Sequence, residues 1–316
     1  MSASPTAEDA IHVAIIGAGA LGCVYGVRLA LRTKCDVTFV VRPKRVDSTD
    51  PFVIESAWSD LRETLDSPKR ATVVPPDADV VLLTIGTEDL DALAGLLGES
   101  TAPIVVVTPV MPQDWARLQK AHGPRVLSAM PTMSAYVRKE DGVVRHWLMP
   151  APSLIDEPRP PIPVITALAE ELTRAGVKTK LELAVHETNP ATTVGFICVG
   201  MGLAMAGSID ALTNDDALCE LVARGCTEGQ RLGGRIGRPI FAATFFPILT
   251  SRWGIRLLCA LPAEARFFAE DHFGRKIAAQ HRVMIRQMIE LAEEKGLPHS
   301  ALDEIERRLS LSHGTP

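Results

Sequence analysis

Residues 11–22 read Ile11-His12-Val13-Ala14-Ile15-Ile16-Gly17-Ala18-Gly19-Ala20-Leu21-Gly22, a short β-branched apolar run that ends on a glycine-rich hexapeptide. A run of this kind reads as a buried parallel strand. Apolar residues then recur at Leu21, Val24, Val27, Leu29 and Leu31, as along one side of a helix. The hexapeptide Gly17-Ala18-Gly19-Ala20-Leu21-Gly22 is thus GxGxxG set between a strand and a helix, the context of a dinucleotide-binding fingerprint. In that reading Gly17 makes the tight turn, Gly19 lets a pyrophosphate approach the backbone, and Gly22 lets helix and strand pack closely. The N–H groups at the helix start, with the positive end of its dipole, hold the phosphates.

Downstream the pattern repeats. Asp36 to Val41, Asp79 to Thr84 and Ile104 to Thr108 read as further buried strands, with a helix expected over Glu88 to Leu97. Strands alternating with helices predict a Rossmann-type, doubly wound parallel sheet. The second strand runs into Arg42-Pro43-Lys44-Arg45, where NAD-binding chains carry an acidic residue for the ribose hydroxyl. Cations there suit a 2′-phosphate, so NADP is the expected cofactor, with Arg42 and Lys44 as its contacts. Thr84 and Gly86, after the third strand, complete the expected cofactor set.

A hairpin or two edge strands are expected in Arg125 to Leu148 around Glu140-Asp141-Gly142. The proline cluster Pro150 to Pro163 predicts a loop or linker. A helix over Val164 to Ala175 and a strand near Val177 to Leu181 follow. After about residue 185 only helical periodicity remains, over 217–232, 263–268, 275–295 and 301–309. The reading is therefore α/β, a dinucleotide-binding domain at 1–183 followed by an all-α domain for substrate and dimerisation at 184–316.

Composition limits the function. The chain has 316 residues, 47% of them hydrophobic and 22% charged, with a net charge of −5. This is an ordinary globular mix, and its acidity gives no general attraction to nucleic acid or a membrane surface. Neither is expected as a partner; a small-molecule substrate is. Six cysteines, at 23, 35, 198, 219, 226 and 259, form no CxxC pair, so reduced thiols and no metal site are expected. The polar, acidic first ten residues do not resemble a signal peptide, which predicts a cytoplasmic protein. Residues 188–209 lack charge, but Asn189, Pro190, Thr192, Thr193, four glycines and Ser208 there favour a buried helix over a membrane span. Phe241 to Leu249 suits the interface of a homodimer.

GAGALG after the first strand, the VVR ending of the second, the LLT turn after the third, a hairpin closing the first domain and a helical second domain together resemble the ketopantoate reductase family. The resemblance spans about residues 11–310 and implies NADPH-dependent reduction of a carbonyl. The family's catalytic groups are missing. Its Thr-x-Lys is Thr84-Ile85-Gly86 here, its Gln-Asn-Gly is Thr108-Pro109-Val110, and its general-acid lysine falls among Ala191, Thr192 and Thr193. Its late serine and glutamate have no counterpart near Glu270 to Ala279. Ketopantoate is therefore not expected as the substrate.

The remaining proton donors are Thr192, Thr193 and His272, with His186, Glu187 and Asn189 nearby in sequence. Helix capping is the alternative role for the polar residues flanking the central helix. Arg266 offers a bidentate site for a substrate carboxylate, against a solvated charged face shared with Glu270 and Asp271. Trp115, Trp147 and Trp253 offer an apolar lining, against a place in the core. The substrate is expected between the strand carboxyl ends and the helix beginning near Ala191, with Gly195, Gly200 and Gly202 widening that space or admitting another helix. Two functions fit: a reductase of a carbonyl or imine, or an NADP-binding protein without hydride transfer.

Overall fold

The computed structural model describes residues 10–312. Its twelve strands are β1 (His12–Ile16), β2 (Asp36–Val40), β3 (Phe52–Ser56), β4 (Arg62–Leu65), β5 (Lys69–Ala71), β6 (Val80–Leu83), β7 (Ile104–Val106), β8 (Val126–Met130), β9 (Met133–Val137), β10 (Val144–Leu148), β11 (Ser153–Asp156) and β12 (Thr179–Glu182). Eight of them form one sheet in the order β5-β2-β1-β6-β7-β8-β11-β12, parallel throughout except where β11 runs against β8. Val13 of β1 pairs with Val37 on one side and Val80 on the other. The chain thus reverses its direction of winding at β1, and a crevice opens beyond the carboxyl ends of strands at such a point.

The helices of the first part are α1 (Ala20–Arg32), α2 (Leu93–Leu97), α3 (Pro112–His122) and α4 (Pro163–Arg174). Residues up to Pro109 and Ala116–His186 form one compact unit, and Val110–Trp115 with Glu187 onward form the other. Within the first unit α1 buries almost its whole length, from Ala20 to Leu29. Gly26 is what lets it lie on β2, because a Cβ there would be 2.3 Å from the Phe39 ring. A second sheet, β4-β3-β10-β9, packs on the same helix. Buried between them, Arg28 donates from Nη2 to His146 Nε2 at 3.1 Å, while Arg32 pairs with Glu63 at 2.6 Å. Burial and the Arg28 charge push His146 down to about 4, so it stays a neutral acceptor.

The second unit contains α5 (Val185–Thr193, from Glu187), α6 (Ile197–Ala206), α7 (Ile209–Asn214), α8 (Asp216–Ile236), α9 (Phe246–Leu249), α10 (Arg252–Arg256), α11 (Ala263–Phe267), α12 (Ala278–Glu294) and α13 (Ser300–Ser312), with a π-helical stretch at Phe268–Lys276. It has no strand among the described residues. Its core is α6 with α8, α12 and α13. Gly225, Gly229 and Gly233 form a stripe along α8, continued by Gly237 just past its end. A Cβ would meet Cys198 Sγ at 2.9 Å from Gly225, the Val194 carbonyl at 2.1 Å from Gly229, the Ala191 carbonyl at 2.4 Å from Gly233 and the Glu187 carbonyl at 2.3 Å from Gly237. Backbone therefore packs directly on backbone. Glu228, buried on α8, accepts from the Ala301 and Leu302 N–H groups at 3.0 Å and so caps α13. Val185–Ala206 is long and apolar enough to cross a membrane by composition, and 67% of an 18-residue apolar stretch within it is buried inside the protein, as befits core helices.

Two expectations need correction. The proline-rich stretch is not all loop, because Ser153–Asp156 fits between Pro152 and Pro158 and pairs with both β8 and β12. Prolines at the edges of a strand remove no ladder bond from its interior. The helix expected over Glu88 to Leu97 is 3₁₀ from Thr87 to Ala92 and α only from Leu93. The strands at 52–71 are an addition to the sequence reading.

Candidate functional site

The turn after β1 is held by a side chain that follows the neighbouring strand β6. Gly17 has φ +103°, which strains any L side chain, and a Cβ there would sit 2.9 Å from Ile85. The Thr84 hydroxyl donates to the Gly17 carbonyl at 2.8 Å, and the Thr108 hydroxyl donates to the Ile85 carbonyl at 2.5 Å. Thr84, just past β6, thus fixes the turn above β1, and Thr108, just past β7, fixes the turn after β6. Gly22 lies against it, since a Cβ would be 1.9 Å from the Gly17 oxygen. A Cβ on Gly19, by contrast, would meet nothing within 4 Å. That open space lies beside the start of α1, which has no side-chain cap and no acidic residue in its first turn. The first N–H groups of a helix lack intrahelical partners, so this end is built to receive an anion. The residues present fit a dinucleotide's phosphates.

Ala18 and Leu21 are half-buried and Ala20 is buried against the core, so these three shape the turn through packing. Arg42 follows β2 with an exposed side chain 4.0 Å from Asp89. Lys44 and Arg45 stand in a 3₁₀ turn, Pro43–Arg45. Both border a groove of about 490 Å³ that starts at Val41 and is also lined by Phe52 and Arg70. Arg70 stacks over the Phe52 ring at 4.8 Å and donates to the Ser48 and Asp50 carbonyls. Lys44 and Arg45 are thus the groove's exposed cations. Gly86 caps the 3₁₀ helix that follows β6.

The expected proton donors lie in the second unit and differ in how free they are. Thr192 is buried; its hydroxyl donates to the Thr188 carbonyl at 2.7 Å and accepts from the Ile240 N–H at 3.1 Å. Thr193 is half-buried, with one long contact to Asn189 Oδ1 at 3.3 Å. His272 stacks on Phe268 with ring centroids 5.1 Å apart, and its Nδ1 has no partner. Burial, helped by the Lys276 charge, pushes it down to about 4, so it is uncharged at neutral pH. His281, pushed down to about 3 by its burial first and by His272 second, packs on Gly200 and the Phe273 ring.

Other candidates are occupied structurally. Arg266 pairs with Asp210 at 2.8 Å, and Glu270 accepts the Ile209 N–H at 2.8 Å, which makes that cluster a helix-joining surface. His186 and the start of α5 rest on Asp156, whose Oδ1 accepts the Val185 N–H at 2.6 Å. Trp147 is core, whereas Trp253 is exposed. Gly195, Gly200 and Gly202 each face a close side chain, from Phe246, His281 and Val222, so they admit neighbours and do not widen a space. Sequence reasoning missed the two threonine clamps and Asp156. The threonines at the ends of two adjacent buried strands were the available signal for the clamps.

A parallel sheet that reverses at β1, with a glycine turn and an uncapped helix beyond it and a helical unit after it, defines the Rossmann-type fold of dinucleotide-dependent proteins. Residues 13–151 match the family model "Ketopantoate reductase PanE/ApbA". No curated protein matches the sequence. Solved structures of similar fold include the 2-dehydropantoate 2-reductase from Geobacter metallireducens GS-15, at 19% identity and a TM-score of 0.70 over 96% of this chain and 100% of that one. The PanE/ApbA family ketopantoate reductase from Ralstonia eutropha JMP134 has 18% identity and a TM-score of 0.70 over 95% and 98%. A dimeric ketopantoate reductase from Staphylococcus aureus has 16% identity and a TM-score of 0.68 over 95% and 98%.

Proposed function

We propose that the protein is an NADP-dependent oxidoreductase, a divergent relative of the ketopantoate reductases that reduces a carbonyl or imine on a substrate other than ketopantoate. The observation that carries this reading is the maintained phosphate cradle: an open Gly19, a strained Gly17 clamped by Thr84, and an uncapped α1. The N–H groups of that turn bind the pyrophosphate, and Arg42, with Lys44 and Arg45 behind it, takes the 2′-phosphate. The bound nicotinamide supplies a hydride; the protein must supply the proton. Thr193 is the better placed of the two threonines, since the Thr192 proton is already given to a backbone carbonyl. Neutral His272 serves as a hydrogen-bonding group for the substrate, not as a charged acid.

The cofactor preference is testable directly. Charge-assisted contacts contribute on the order of 1.5–3 kcal/mol, so Arg42→Ala should lower the preference for NADP over NAD by about 10- to 150-fold. A titration that finds equal affinity for the two in the unmodified protein, or an unchanged preference in Arg42→Ala, rules the assignment out.

Ketopantoate should be a very poor substrate. Losing a general acid costs roughly 10² to 10⁴ in rate, which predicts turnover far below the usual enzymatic range of about 1 to 10³ per second. Oxidation of NADPH should be followed with ketopantoate beside a panel of keto acids, ketones and imines. Turnover of ketopantoate within the ordinary range contradicts the substrate reading. Tight NADP binding with no oxidation by any substrate supports the second reading, cofactor binding without hydride transfer, which the missing family lysines favour.

A further inference from the structure

We propose that the arginine-flanked apolar face formed by residues 241–257 docks the second unit onto an anionic lipid surface. Phe241, Phe245, Ile248, Leu249, Trp253 and Leu257 are all exposed, Phe241 by 82% and Trp253 by 69%. They adjoin one another. The Phe241 and Phe245 rings stand 6.3 Å apart, and α10 abuts α9 so closely that a Cβ on Gly254 would lie 2.3 Å from the Ile248 and Leu249 carbonyls. Two guanidinium groups stand over the Trp253 ring, Arg252 at 5.5 Å and Arg256 at 5.4 Å from its centroid. Large exposed apolar groups in contact with one another mark an interaction surface.

Charge selects the partner. From Gly229 to Ala263 the chain carries five arginines, at 231, 235, 238, 252 and 256, and no aspartate or glutamate. This stretch holds +5, so with the whole chain at −5 the remainder holds −10. The net charge on which a sequence reading excludes membranes averages over this asymmetry. Among the described residues only Arg256 of the five has a carboxylate partner, Asp216. A second copy set on this stretch would bring it no acid from the same stretch, so each of these arginines would need a carboxylate from elsewhere on the partner. Aromatic and leucine side chains amid arginines, without acids, are the composition of a surface that settles in the headgroup region of an anionic bilayer.

The full chain should be sedimented with vesicles of phosphatidylcholine alone and of phosphatidylcholine with about one third phosphatidylglycerol. The expected result is binding to the mixed vesicles only, weakened as salt rises from about 0.1 to 1 M and the Debye length falls from about 10 to 3 Å. Phe241→Ser with Trp253→Ser should reduce that binding at least about tenfold, as loss of buried apolar area requires. Arg238→Gln with Arg252→Gln should reduce it by about fivefold per charge. All four side chains lie outside the core, so melting temperature and NADP binding should not change. No binding to mixed vesicles, equal binding to neutral ones, or indifference to these variants overturns the proposal. So does a concentration-dependent dimer in sedimentation velocity that the Phe241→Ser, Trp253→Ser variant converts to monomer, which assigns the face to a second copy.

Discussion

Gly22→Ala is expected to abolish dinucleotide binding and lower stability together, whereas Gly19→Ala should abolish binding alone. The two glycines are three residues apart and carry opposite constraints. At Gly22 the added carbon would sit 1.9 Å from the Gly17 oxygen and 2.7 Å from Thr84 Oγ1, the atoms that fix the turn. Relief requires α1 to move off β1, and overpacking of this kind costs about 1–3 kcal/mol. At Gly19 the carbon meets no protein atom within 4 Å, so it fills only the space a phosphate would use. Thermal melting and an NADP titration of both variants separate the cases. Binding that survives in Gly19→Ala within about tenfold, or 1.4 kcal/mol, means that the phosphates lie elsewhere.

The second large effect should come from Asp156→Ala. Its Oδ2 accepts the Ser128 N–H at 2.8 Å and its Oδ1 accepts the Val185 N–H at 2.6 Å, with His186 at the longer range of 3.4 Å. One carboxylate thus joins the middle of β8 and the end of β11 to the start of α5. Ala184, just before that helix, is the described non-glycine residue held at positive φ, +56°. Removing the carboxylate leaves two buried N–H groups without acceptors, at about 1–3 kcal/mol each. The loss should be on the order of 3–5 kcal/mol, with Asp156→Asn falling between, because an amide keeps one acceptor oxygen. Denaturant unfolding measures both. A change below about 1 kcal/mol in Asp156→Ala would show that water or another group satisfies these donors.

How much of this was written in local sequence depends on the range of the interaction. β1, the glycine turn, α1 and β2 were legible because strand and helix periodicity and glycine spacing all act within thirty residues. The clamps were not, since Thr84 reaches Gly17 across 67 residues and Thr108 reaches Ile85 across 23. β5 is three residues, Lys69–Ala71, with no buried side chain, and its strand state comes entirely from its pairing with β2. Thr192 shows the converse. Its hydroxyl was visible in the sequence, but that its proton is given to Thr188 and its lone pair to Ile240 depends on α5 and on a loop 48 residues away.

The glycine stripe on α8 bears on how the second unit folds. Within Asp216–Ile236 the residues Gly225, Gly229, Gly233 and Gly234 each weaken an isolated helix by about 1 kcal/mol relative to alanine. Twenty-one residues with about 4 kcal/mol set against helicity cannot nucleate on their own. The helix at the centre of the second unit therefore forms only together with the helices packed against it, α5 and α6, which are shorter still and carry Pro190, Gly200 and Gly202. Its carbonyl-lined contacts leave no room for a loosely docked intermediate, and so assembly of this unit should be all-or-none, with α8 gaining its turns only as it seats.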